Sequence, residues 1–344
     1  MSVELRINRI FSIFLFFSFG LIFTLYVLVW KTSSLHKKSE EYIVFIEPNE
    51  SFEVFFEADL KPILRFPKLF LFLAEQMNLP NHFYAGKYSF TSDITIVGLI
   101  KTIRSGKFEM MVVDLPQGIY QDSLLKIISE AIFLSEDRIK AVLMDCRYFK
   151  NNQQDLMPLL TFCFADRYFM PYAISEKKLQ QFFEKEFKKV WNENRLAKAK
   201  EIGLLPDEVT ALAAIVQAEV VYKDEMGRVA GVYINRLKKG WRLNADPSIR
   251  FILRNKSVKR ILNEDLKLKN PYNTYQRGGI PPGAIGLVSL RAIDAVLNFE
   301  KHGFMFFCAK PDLSFRHIFS KTYTEHLIIA KQYQKAMNER NIVR

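Results

Sequence analysis

The chain has 344 residues, 49% of them hydrophobic, and 49 Lys and Arg against 37 Asp and Glu give a formal net charge of +12. At roughly 100–200 residues per domain this is material for an anchor and about two folded units, which excludes a disordered or low-complexity chain. The basic residues are dispersed among acids and no nucleic-acid motif accompanies them, so nucleic acid is excluded as a partner; a basic surface drawn to anionic lipid or an acidic wall polymer remains.

Residues 10–30 form the first element, a run with no charged side chain from Ile10 to Trp30. As a helix it spans about 32 Å, enough for a hydrocarbon core. A cleaved signal would have an apolar region of roughly 7–15 residues ending in small residues, whereas Val29-Trp30-Lys31 follows here. The sequence therefore predicts residues 1–9 as a cytoplasmic N-terminus and 10–30 as an uncleaved single-pass transmembrane anchor. Arg6 and Arg9 precede the span and Lys31, Lys37 and Lys38 follow it, so the flanks alone do not orient it. Polar residues 31–41 suit a short stalk.

From Tyr42 the pattern is that of a small α+β module over residues 42–110. Val44 and Ile46 alternate before a Pro48-Asn49-Glu50-Ser51 turn, Ala85-Gly86-Lys87-Tyr88 is a turn feeding a strand, and Ile96, Leu99, Ile100 and Ile103 make a helical stripe ending at Gly106. Residues 111–344 are predicted as a second, mixed α+β domain. It opens with a strand at Met110–Leu115 broken by Pro116 and Gly118, followed by a helix from Leu124. Leu179, Phe182, Phe183, Phe187, Val190 and Trp191 predict one amphipathic helix over 176–200. Further helices are predicted from Pro206 to Glu219 and from about Arg228 to Lys239, stopped by Gly240.

The helix that begins at Pro206 carries the chemistry. At about 100° per residue, Leu212, Ile215, Val216 and Glu219 share a stripe and Gln217 points nearly the opposite way. A carboxylate against apolar neighbours has its charged form disfavoured, which moves its pKa toward the range of a general acid at neutral pH. A structural Glu paired with Arg236 is the other reading of the same pattern. Cys146, Cys163 and Cys308 are an odd, widely spaced set without metal-ligand spacing, read as buried thiols, with one disulfide compatible with an oxidising compartment. Nothing resembling a phosphate loop, a Ser nucleophile motif or a Cys/His couple occurs, so no metal and no cofactor is predicted.

Five motifs in fixed order resemble the YceG-like family of endolytic murein transglycosylases. They are Ala214-Ile215-Val216-Gln217-Ala218-Glu219, the run Val229 to Leu237 with Asn235-Arg236, Leu243-Asn244-Ala245-Asp246-Pro247-Ser248, Pro271-Tyr272-Asn273-Thr274-Tyr275, and Gly279-Ile280-Pro281-Pro282-Gly283-Ala284-Ile285. His317-Ile318-Phe319 and His326 resemble the family's C-terminal pattern, and Leu115-Pro116-Gln117-Gly118 matches its N-terminal half weakly. The chain departs from the family in having Gln217 where a Glu is frequent, and Ala165-Asp166-Arg167-Tyr168 where Pro-Asp-Thr-Tyr is frequent.

The resemblance implies a LysM-like character for residues 42–110 and a catalytic domain over 111–344. It implies lytic cleavage of peptidoglycan glycan strands between N-acetylmuramic acid and N-acetylglucosamine, with Glu219 as the acid and a 1,6-anhydro product. Asn235, Arg236, Asp246, Tyr272, Asn273 and Tyr275 are then substrate-binding candidates; Asp246 as a helix cap and 272–275 as a self-bonded turn are the structural alternatives. Also implied are an inner-membrane, single-pass protein with an extracytoplasmic body, and peptidoglycan synthases as partners. A noncatalytic peptidoglycan-binding scaffold and a hydrolytic muramidase using Glu219 with Asp246 are the rival functions. His317 and His326 are read as structural, and Asp224 and Glu225 as loop charges.

Overall fold

The computed structural model describes residues 3–36, 40–144, 159–253 and 261–339. The described chain divides into two compact units, one built from residues 1–112, 131–133 and 169–174, the other from 113–130, 134–168 and 175–344. Cys146 lies outside the described residues.

In the first unit, helix α1 (Val3–Trp30) leads to strand β1 (Glu41–Ile46), the short helix α2 (Phe52–Phe55) continued by a wider turn over Phe56–Leu60, α3 (Pro67–Gln76), β2 (Gly86–Thr91) and α4 (Ile96–Arg104). Strands β1 and β2 pair antiparallel, with Val44 opposite Tyr88 and Ile46 opposite Gly86. Alternation puts Val44 and Ile46 on the same face as Tyr88 and Phe90, and that face packs on Phe55, Phe70, Leu99 and Ile103. Ser51 and Thr95 cap α2 and α4 through their hydroxyls, and Gly106 follows α4 at φ 64°, the left-handed conformation that glycine adopts without a Cβ clash.

Two expectations change here. A helix does form over 10–30, but among the described residues no helix is long and apolar enough to cross a membrane. Within residues 31–41, expected to be a short stalk, the backbone at 33–35 pairs into the first unit. Ser34 N–H donates to the Ile94 carbonyl at 2.7 Å, Arg65 N–H to that of Ser34 at 2.8 Å, and both Ser34 and Leu35 are buried. Polar composition predicted solvent, whereas backbone pairing with the 64 and 94–95 segments satisfies those polar groups internally.

The second unit contains β3 (Met110–Leu115), α5 (Gln121–Ala131), α6 (Glu136–Met144), α7 (Leu159–Phe162) and β4 (Phe164–Pro171), the outer ends of both strands belonging to the first unit. Next come α8 (Glu176–Val190) and α9 (Glu193–Ile202). The single helix expected over 176–200 is thus two, because the Asn192 side chain accepts the Arg195 N–H and starts a new helix. Then follow α10 (Pro206–Glu219), α11 (Met226–Lys238), α12 (Asp246–Leu253), β5 (Val288–Ser289), α13 (Leu290–Leu297), β6 (Phe306–Ala309), β7 (His317–Ser320) and α14 (Tyr323–Glu339). The sheet order is β3-β4-β5, with β5 parallel to β4, while β6 and β7 form a separate antiparallel hairpin.

Helix α10 is the axis of this unit. Every residue from Val209 to Val216 is buried, so it has no polar face at all along that stretch. The narrow stripe expected around Glu219 is replaced by a helix enclosed on all sides, as in the centre of a larger core. Pro206 occupies the first turn, where a missing N–H costs nothing, and the Glu208 carboxylate takes the Leu205 N–H at 2.8 Å.

Candidate active site

Glu219 is the last residue of α10, and the chain turns extended at Val220. It is half-buried, and its carboxylate accepts a hydrogen bond from the Tyr233 hydroxyl at 2.7 Å. Tyr233 is fully buried on α11, beside α10. Burial drives the Glu219 carboxyl up from 4.5 to about 7; the Tyr233 hydrogen bond pulls it back, the Asp246 carboxylate adds repulsion, and Arg236 and Arg250 oppose it. A helix C-terminus carries partial negative charge, which disfavours a carboxylate there further. Burial, with the Glu219 charge and hydrogen bond adding to it, holds Tyr233 well above the ordinary phenol range, so it stays a neutral donor.

Glu219 lines a cavity of about 380 Å³ together with Arg236, Asp246 and Tyr275. Three of the residues predicted for the site therefore meet the predicted acid. Asp246 begins α12, and its carboxylate accepts the Tyr275 hydroxyl at 2.5 Å. Burial and the Asp246 charge raise the Tyr275 phenol strongly, so it too is a fixed donor.

Arg236, buried on α11, donates from Nε to the Met305 carbonyl at 2.9 Å and from Nη1 to that of Leu243. Its hydrogen bonds thus go to two loop carbonyls, and it acts on Glu219 through its charge.

Asn235, Tyr272 and Asn273 are not among the residues lining this cavity. Asn235 ties α11 to the chain before β6 by donating to His302 O at 2.8 Å and Phe304 O at 3.0 Å. Asn273 is wholly buried, donating to Leu266 O and Leu268 O and accepting from Tyr275 N at 2.9 Å. The Tyr272 ring lies against Phe251, centroids 4.8 Å apart. Asn273 and Tyr272 shape the loop that carries Tyr275, while Asn235 braces the segment before β6.

The sequence reading missed the lock beneath that loop. Asn244, at φ 49°, and Ala245 hand their N–H groups to Thr274, whose hydroxyl also meets Ser248 at 2.9 Å. Thr274 and Ser248 are buried, so the start of α12 and the 272–275 turn are held together by satisfied polar groups, and Asp246 and Tyr275 face one another as a result. Glu225, expected to be a loop charge, is buried and accepts from both the backbone N–H of His317, at 3.1 Å, and its ring, at 3.0 Å. That pair fastens the turn after Glu219 to β7.

Gln217 lines a different cavity, of about 210 Å³, with Tyr120, Pro247 and Arg250. Its amide Nε2 donates to the Leu287 carbonyl at 2.9 Å, and Oε1 accepts from Ser289 N at 2.9 Å and Ser289 Oγ at 2.7 Å. A group with both a donor and an acceptor satisfies this place, which gives a physical reason for an amide at 217. Among the described residues no group of His, Cys, Asp and Glu side chains could hold a metal ion. Cys163 is buried and Cys308 half-buried.

The sequence profile of the YceG-like family matches residues 44–332, most of the chain. The chain belongs to the YceG-like family. Over 133 residues this YceG-like chain is 31% identical to an endolytic murein transglycosylase of Bacillus subtilis, covering 39% of this chain and 36% of that protein. Over 114 residues it is 28% identical to an endolytic murein transglycosylase of Streptococcus pneumoniae, covering 32% of this chain and 21% of that one. The match thus spans about a third or less of these relatives' length. The fold resembles that of a solved yceG-like protein of Listeria monocytogenes, with a TM-score of 0.56 at 20% identity, over 84% of this chain and 99% of that one.

Proposed function

We propose that this protein is an endolytic lytic transglycosylase that cuts the N-acetylmuramic acid to N-acetylglucosamine bond of peptidoglycan glycan strands, with Glu219 as its acid and base. The observation that carries the reading is a carboxyl raised to about 7 by burial, yet reachable from a cavity, at the end of a helix buried throughout Val209–Val216. The names of the Bacillus and Streptococcus relatives support the substrate.

In this mechanism protonated Glu219 donates its proton to the glycosidic oxygen as the bond to the anomeric carbon breaks. The resulting carboxylate then takes the proton of the same sugar's 6-hydroxyl, whose oxygen closes on the anomeric carbon. The proton returns to Glu219, no water is consumed, and a 1,6-anhydro end results. Tyr233 holds the carboxyl in place during both transfers, and the Asp246 charge, oriented by Tyr275, favours the positive charge that develops on the sugar. A hydrolase of the usual kind needs a second carboxyl to activate water or trap the sugar; here Asp246 is engaged by the Tyr275 hydroxyl.

Helix α1 is proposed to hold the body at the lipid surface on the extracytoplasmic side. Phe14, Phe16, Phe17 and Phe19 all stand exposed along it, an apolar surface suited to lipid. Residues 42–110 are the proposed LysM-like module, and peptidoglycan synthases are proposed partners.

Digestion of purified glycan strands in water enriched in oxygen-18 tests the reaction. The proposal expects unlabelled fragments with anhydro ends, lighter by one water than hydrolytic fragments; labelled reducing ends, or no fragments, would reject it.

A further inference from the structure

The Glu219 cavity has a second wall, and the acid-base chemistry does not use it. Phe306 on β6 and Tyr323 and His326 on α14 also line the cavity. The Phe306 and His326 rings are stacked, centroids 5.3 Å apart and 23° between planes, and Tyr323 lies 5.8 Å from Phe306. Trp241 meets Phe306 edge-on at 5.9 Å, and the Arg236 guanidinium sits 5.7 Å from the Phe306 centroid. Tyr323 is 60% exposed and Trp241 45%, although aromatic rings of this size gain by burial. The cluster is therefore a shelf of ring faces open to the same space as Glu219.

His326 gives the shelf a polar handle of defined sense. Its Nδ1 is buried and has no hydrogen-bond partner among the described residues. A proton there would be a buried orphan donor, a rarer and costlier arrangement than a bare acceptor. The proton therefore belongs on Nε2, the nitrogen left for a ligand to reach. Burial and the neighbouring Arg236 cation both lower the imidazole's pKa, so the ring is neutral. His326 accordingly presents one neutral N–H donor beside two ring faces.

We propose that Phe306, Tyr323 and His326 form a saccharide subsite, in which one N-acetylated sugar ring next to the cut bond lies on the aromatic faces and accepts a hydrogen bond from His326 Nε2–H. A pyranose offers what this wall lacks: an apolar C–H face for the rings, and hydroxyl or acetamido oxygens for a single donor. The occupant follows from continuity with the Glu219 cavity and so rests on the glycan reading above. The proposal also gives α14 a task. None of its residues is fully buried, so it contributes little core, but it carries two of the three subsite residues.

The test uses the full chain and a glycan oligomer of alternating N-acetylglucosamine and N-acetylmuramic acid without stem peptides. Calorimetric binding is measured in the Glu219→Gln background, and KM and kcat with Glu219 intact. Tyr323→Ala, at an exposed position, is expected to weaken binding about three- to tenfold. His326→Phe keeps a ring face and removes the donor, with an expected loss of about two- to tenfold. Both are expected to raise KM more than they lower kcat, with melting temperatures unchanged for Tyr323→Ala. Nitrogen NMR of the histidines should show His326 in the Nε2–H form. If the parent binds and cuts glycan while both variants bind equally well, the subsite is refuted and the enzymatic reading stands. If the parent neither binds nor cuts, both readings fall.

Discussion

Replacing Glu219 by Gln removes an ionisation that the fold opposes, and the consequence for stability is computable. The carboxyl is raised from 4.5 to about 7, chiefly by burial; at 1.36 kcal/mol per pH unit this corresponds to ~3 kcal/mol. Because the folded chain holds this proton more tightly than the unfolded chain, the contribution is complete below the unfolded value and is lost as pH rises through the folded one. Glutamine cannot ionise, and its carbonyl oxygen can still accept the Tyr233 hydroxyl. Wild type and variant should therefore have similar unfolding free energies near pH 4.5, and the variant should be the more stable by up to about 3 kcal/mol above pH 8. Urea unfolding of both proteins across this range, followed by circular dichroism, measures the gap, and titrating groups remote from Glu219 cancel in the difference. A gap that stays flat with pH, or that favours wild type on the alkaline side, would refute the argument that the fold disfavours the Glu219 charge.

Tyr233→Phe removes the hydrogen bond that stabilises the carboxylate, so the alkaline limb of the kcat/KM profile should move up by about one to two pH units; an unmoved limb would show that Tyr233 does not tune the acid. Asp246→Asn removes the repulsion that raises Glu219, so the same limb should move down, with anhydro products retained; products changed to reducing ends, or a limb moved up, would contradict the assignment. Gln217→Glu puts an oxygen against the Leu287 carbonyl at 2.9 Å, and a loss of about 1–3 kcal/mol is expected in denaturant unfolding. That substitution should lower stability without changing the product, and an unchanged midpoint would argue against the clamp.

Local elements were legible because single residues dictate them. Ile96, Leu99, Ile100 and Ile103 wrote α4 before its Gly106 stop, and Pro206 marked the start of α10. The break between α8 and α9 was not read, since the Phe stripe runs on in periodicity while Asn192 ends it by capping the next helix. Within the site, Glu219 was legible from its apolar helical stripe, and Arg236, Asp246 and Tyr275 could be nominated because each stands in a motif that resembles the YceG-like family. Tyr233 could not be paired with Glu219, because their contact exists only once α10 and α11 pack together. Its one sequence signal is a polar tip within the buried Val229, Val232, Tyr233 and Arg236 stripe. Asn235 and Asn273 misled for a related reason: an amide suits a sugar or a loop carbonyl equally, and only tertiary contacts decide which it meets. His326 was read as a satisfied structural histidine, and its unpaired Nδ1 appears only when α14 is laid against Phe306.

The proposed reaction depends on a proton being present on Glu219 when the glycan arrives, and direct titration of that carboxyl tests this most closely. Carboxyl-carbon NMR of glutamate-labelled protein, with the Glu219→Gln spectrum subtracted to assign the resonance, should show a midpoint at about 7. A midpoint near the ordinary 4.5 would leave the group ionised at neutral pH and contradict its role as the acid.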